Sequence, residues 1–172
     1  MNRETATAVA TWTFLLHARG VPSDVLPVRR RCEALSELRD DTKVADAGNA
    51  LIDEIVTLLD GEDGASIEAA ARLLFGDRVA TDLGAGSREE RLVRLRRHQF
   101  AVGLPWMARL WELRPDGGVL PGWLVIDGVT DMVRALDPNP WNDIDEERRL
   151  PVGDFLVLWE LGGNAAVYVA RA

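Results

Sequence analysis

The sequence predicts an α+β fold, with helices gathered toward the N-terminus and an antiparallel sheet after them. Two observations carry this. Apolar residues recur at helical spacing as far as Phe100, and from Trp106 onward short apolar runs alternate with Gly- and Pro-marked turns. A third bounds the answer: 172 residues, 47% of them hydrophobic and 28% charged, suit one folded domain with a sizeable core.

The helices follow in order. Residues 3–19 place Val9, Trp12 and Leu16, with Ala8 and Leu15, on one side, and Gly20 and Pro22 end the run. A second helix opens near 23–27. Its stripe of Val28, Cys32, Leu35 and Leu38 predicts that Cys32 faces the core. A third is expected from Asp46, whose carboxylate suits an N-cap, with Leu51, Ile52, Ile55, Leu58 and Leu59 inward and GEDG at 61–64 as its stop. The fourth runs from Ser66 to Phe75 and stops at Gly76. After a loop at 84–86, Ser87 and Glu90 form a capping box that opens a fifth helix to about Phe100.

The strands are expected at 106–113, 119–126 and 129–136, the first two joined by a turn at Pro115-Asp-Gly-Gly. The segment DPNPWNDIDEERRLP (137–151) reads as a polar loop. Residues 152–161 fit either a helix or a strand, and the chain closes on a strand in AAVYVARA. Trp106, Trp111 and Trp159 are expected to pack the sheet.

Composition narrows the function classes. A net charge of −8 argues against nucleic acid as a partner, because phosphate contacts need an excess of Lys and Arg. One cysteine makes no intrachain disulfide, and one cysteine with two histidines argues against zinc, so neither metal nor cofactor is expected. The acidic run Asp143-Ile-Asp-Glu-Glu lacks the glycine and ligand spacing of a calcium loop. No window holds 18 uninterrupted apolar residues and the N-terminus is not a secretory signal, so no membrane is expected and the expected setting is cytoplasmic.

One stretch points further. Trp123-Leu-Val-Ile-Asp-Gly-Val, then Leu136-Asp-Pro-Asn-Pro-Trp, then Leu150-Pro-Val-Gly-Asp-Phe-Leu-Val-Leu-Trp follow one another in order. Upstream, Asp46-Ala-Gly-Asn-Ala-Leu opens a helix. This order resembles bacterial papain-like cysteine peptidases, including the type that trims peptide leaders, over roughly residues 41–170. The resemblance implies one papain-like domain over 1–172, with residues 1–40 as a helical extension packed on a 41–172 core.

The resemblance also implies a site: a thiolate at position 47, a histidine at 122 across the cleft, an orienting residue at 137, and an oxyanion glutamine a few residues before 47. The chain carries Ala47, Gly122 and Asp137 there, and its one glutamine is Gln99. Only Asp137 matches. The reading that follows is a catalytically inactive scaffold that binds a protein or peptide partner. Trp123 and Trp141 flank the cleft as binding candidates, and Asn49 stands on the helix opposite. Two alternatives stay open. One is an active thiol hydrolase, with Ala47 in place of its nucleophile or with Cys32 as nucleophile and His98 or His17 as base. The other is a helix-rich adaptor that docks through Arg88, Arg91, Arg94 and Arg97 of the fifth helix.

Overall fold

The computed structural model of the chain describes residues 3–59, 66–113, 119–136 and 147–170. Four helices come first: α1 (Arg3–Ala18), α2 (Leu26–Glu37), α3 (Asp41–Leu59) and α4 (Ile67–Phe75). A two-residue strand β1 (Val79–Ala80) and α5 (Arg88–Ala101) follow. Then come β2 (Trp106–Leu113), β3 (Val119–Val129), β4 (Met132–Leu136), β5 (Glu147–Pro151), α6 (Val152–Leu161) and β6 (Ala166–Val169). The sheet runs β1-β6-β2-β3-β4-β5, every neighbouring pair antiparallel. The fold class is α+β, helices before sheet.

The pleat sorts the core into two layers. β2 and β3 pair without a break from Trp106↔Ile126 to Leu113↔Val119, so successive side chains alternate between the faces. Met107, Val125, Val167 and Val169 point to one face, where they pack with Trp12 and Leu16 of α1, Leu51 and Ile55 of α3, and Phe75 of α4. Trp106, Leu110, Leu124 and Ile126 point to the other, against Leu95 of α5 and Phe155 and Trp159 of α6. The sheet is therefore sandwiched, with α1–α4 on one side and α5–α6 on the other.

Within the first layer α1 lies on β3, and α3 packs on α1 and α2. Trp12 is fully buried. Its indole N–H donates to the Pro105 carbonyl at 2.9 Å, and its ring meets Phe75 edge-on at 5.1 Å. At the end of α1, Arg19 grips both carboxylate oxygens of Asp127 at 3.1 Å. This clamp holds α1 over the bulge in β3, where Gln99 accepts the Val129 N–H.

Local signals account for the starts of α4 and α5. Ser66 accepts from the Ala69 amide and Ser87 from the Glu90 amide, so both helices begin on a hydroxyl cap. Cys32 is fully buried on the α2 stripe, as its spacing predicts.

Several expectations are corrected. The third helix begins at Asp41, five residues before the expected Asp46, because the Asp40 carboxylate takes the amides of Thr42 and Lys43 first. Asp46 is thus an exposed residue inside the helix. Residues 147–151, read as loop, form the edge strand β5 against β4. Charged residues suit an edge strand and hide it from a hydrophobic-period reading. β3 continues to Val129 and β4 starts at Met132. Segment 152–161 is a helix, with Phe155, Leu156 and Trp159 buried. The turns expected at 61–64 and 115–118, and the loop through Asp137, Trp141 and 143–146, lie outside the described residues.

Candidate ligand-binding groove

Of the residues expected at a peptidase site, Ala47 and Gly122 stand in different layers. Ala47 is half-buried on α3 and packs into the layer formed by α1–α4. It is the seventh residue of α3, where amides are already bonded within the helix. A thiolate at 47 would therefore gain none of the free N–H groups that a helix N-terminus offers. Gly122 pairs with Leu110 and precedes Leu124, and both leucines pack on the α5–α6 side. A side chain at 122 would leave the sheet on the face away from Ala47. Asp137 and Trp141 lie outside the described residues. Asn49 is exposed and accepts from Arg3 at 3.3 Å, beside the Arg3–Asp53 ion pair.

Cys32, the alternative nucleophile, is buried. Burial, with the charges of Glu54 and Glu33 adding, pushes the Cys32 thiol up to about 12. His98 sits on the other side of the sheet. Its Nε2 lies 3.3 Å from the Leu104 carbonyl, and its ring meets Tyr168 edge-on. His17 has a buried Nδ1 with no hydrogen-bond partner among the described residues. Among the described residues no group of three or more His, Cys, Asp or Glu side chains is placed to hold a metal ion.

Three of the four arginines expected to form a docking patch are used internally. Arg88 and Arg91 both bind Glu160 on α6, and Arg91 also donates to the Gly86 carbonyl at 2.6 Å. Arg94 donates to the carbonyls of Leu83 and Ala85. These bonds fasten α5 to α6 and to the turn before it. Arg97 remains exposed on the outer face, in line with Val93 and Phe100.

Trp123 does line a site. On the α1–α4 face of the sheet, a groove of about 570 Å³ opens where the helices leave the strands uncovered. Its floor is Arg109 of β2, Trp123 of β3 and the start of β6. Its walls are Thr5 of α1, Thr81, and Ser66 to Glu68 at the beginning of α4. Arg109 and Trp123 stand directly opposite each other on adjacent strands. The volume falls within the ~300–1,000 Å³ common for ligand sites.

Arg109 supplies the groove's chemistry. Its guanidinium is exposed and makes no hydrogen bond or ion pair among the described residues. The one cation-over-ring contact there is Arg78 on Phe75, so Arg109 is not spent on Trp123. The acidic wall residue, Glu68, pairs with Arg72 at 3.0 Å. The first amides of α4 point out of the helix with no acceptor inside it, apart from that of Ala69, which Ser66 takes. Arg109 is not among the residues expected from the sequence. The signal was present, since it is the first charge in an otherwise apolar run, WMARLW, at a position sharing a face with Met107.

No protein-family model, curated protein or solved structure matches this chain.

Proposed function

We propose that this chain is a non-catalytic binding protein that takes a short peptide segment of a partner in the groove between α1, α4 and the sheet. The observation that carries this reading is the pair Arg109 and Trp123: a guanidinium with no partner among the described residues and a large aromatic ring, side by side in a groove. Such a pair is a common anchor for protein recognition. The opposed faces of positions 47 and 122, with the buried thiol of Cys32, weigh against thiol hydrolysis. On this reading the papain-like likeness is one of motif order, without the chemistry.

The test is a peptide array probed with the labelled chain and, in parallel, with Arg109→Glu/Trp123→Ala. Peptides bound by the parent and lost in the variant are expected. An array that stays blank with the parent, or that reads the same with both proteins, rejects the groove.

A second reading rests on α5. Its outer face shows Val93, Arg97 and a Phe100 that is 96% exposed, one stripe at helical spacing. That stripe suits a partner helix with acidic and apolar residues. Phe100→Ser with Arg97→Glu would abolish capture of such a partner and leave groove binding unchanged.

A further inference from the structure

The register of β2 and β3 says more about what the groove holds, taking the peptide-binding reading as its basis. Arg109 and Trp123 are cross-strand partners. Their Cβ atoms are therefore about 4.5–5.5 Å apart, and both leave the sheet on the same face. A ligand that uses both must carry a negative charge and an apolar group close together. A peptide's C-terminal residue does this on a single Cα, which bears the carboxylate and the side chain. An Asp or Glu side chain sets its charge away from its apolar neighbours, which point to the other side of an extended chain or lie two residues along it.

The charge count favours a monoanion. Arg109 is the one unpaired side-chain cation among the described lining residues, and Glu68 on the wall adds a compensated negative charge. A planar guanidinium matches the two oxygens of a carboxylate in a fork. The α4 amides, on the same wall as Ser66, supply neutral donors of favourable polarity and no further charge. A phosphate dianion would be left half-neutralised here. The apolar lining, with Val167 on the floor beside Trp123 and Ile67 on the wall, suits a hydrophobic side chain.

We infer that the groove receives the free C-terminus of a peptide, its carboxylate on Arg109 and its last, apolar side chain against Trp123. Upstream residues of the peptide then run out of the open mouth.

The probes are N-acetylated Gly-Gly-Leu, Gly-Gly-Phe and Gly-Gly-Trp, each as free acid and as C-terminal amide. A further probe, N-acetyl-Gly-Asp-Phe-amide, carries its charge on a side chain. Binding is read by calorimetry on the full chain. At least one acid is expected to bind about ten-fold more tightly than its amide, the scale of one charge-assisted contact. Arg109→Gln is expected to bring the acid down to the level of the amide and leave the amide unchanged, with Arg109→Lys restoring part of the difference. Trp123→Ala weakens acid and amide together. Circular dichroism confirms that each variant is folded.

Acid and amide binding equally would overturn the C-terminal inference and leave the peptide groove standing. The aspartyl amide matching the best acid would overturn it in favour of an internal acidic residue. No heat with any probe would remove both the inference and the groove reading.

Discussion

Arg91 on α5 and Glu160 on α6 tie together the two helices on the far side of the sheet. The Arg91 side chain is only 7% exposed, and its Nε is buried without a partner among the described residues, while Glu160 and the Gly86 carbonyl accept from its other nitrogens. Arg88 shares the same carboxylate but is half exposed. Hydrogen bonding from Arg88 first, with both guanidinium charges adding, holds the Glu160 carboxyl below the usual carboxylate range. Glu160→Gln is expected to lower the urea midpoint at neutral pH, because it leaves the Arg91 cation buried and uncompensated. Arg88→Ala should lower it less, since water screens that pair. A depressed carboxyl contributes its stability above its unfolded value and loses it as pH falls through the folded one. The gap between parent and Glu160→Gln therefore narrows on acidification. Equal midpoints for the parent and Glu160→Gln would show that the Glu160 charge adds nothing to the hold on α5.

The opposed faces of Ala47 and Gly122 make a direct prediction. Ala47→Cys/Gly122→His should label with a thiol-directed electrophile no faster than Ala47→Cys alone. A histidine at 122 points toward Leu110 and Leu124, with the sheet between it and α3. The parent's Cys32 should label slowly in the native state and rapidly in urea, since the thiol is buried and held protonated. Labelling at neutral pH, followed by mass spectrometry, checks both. Acceleration by the histidine at 122 would place a peptidase cleft where the geometry puts two separate layers.

What the sequence made legible was local. Ser66 and Ser87 act on amides three residues away, and Val28, Cys32 and Leu35 share a stripe whatever covers it. The limits of β2 follow from its own residues. The start of α3 was misread because Asp40 and Asp46 are both plausible caps, and the choice depends on where the chain enters from α2. β5 was missed because Glu147-Arg-Arg-Leu-Pro is polar, and only pairing with β4 makes it a strand. Alternation alone says that 122 and 123 face opposite ways, but which face meets α1–α4 is decided by packing. The groove draws on Thr5, Ser66, Arg109, Trp123 and Val167, distant in sequence, so no single motif could announce it.

His98 gives a pH dependence of defined sign. It is buried between α5 and the sheet, with Tyr168 and Trp106 around its ring. Burial lowers its pKa, against the opposing pull of the Leu104 carbonyl and Asp82. The unfolded chain then takes up this proton first as pH falls. Stability from His98 is complete above its ordinary value of 6.5 and declines as pH drops from there to the folded value. Urea midpoints of the parent should fall between about pH 7 and pH 5, and those of His98→Gln should fall less over that window. Parallel profiles would mean that His98 keeps its proton equilibrium on unfolding.

Two glycines test the packing from opposite directions. Gly84, in the turn before α5, lies so close to the 162–164 turn that an added Cβ would sit 1.8 Å from the Asn164 carbonyl oxygen. That neighbour is backbone and cannot rotate away, so Gly84→Ala must move one turn off the other. Leu83, buried beside it, moves too. The expected cost is about 1–3 kcal/mol or more, the range for overpacking. Gly153 stands in the first turn of α6, where an added Cβ meets nothing within 4 Å. Gly153→Ala should stabilise by about 0.4–1 kcal/mol, chiefly by restricting the unfolded chain. Urea unfolding of the two variants beside the parent should therefore move the midpoint in opposite directions. A neutral Gly84→Ala would mean that the contact between the 82–84 turn and Asn164 is looser than 1.8 Å implies, and with it the seat of α5 against the end of α6.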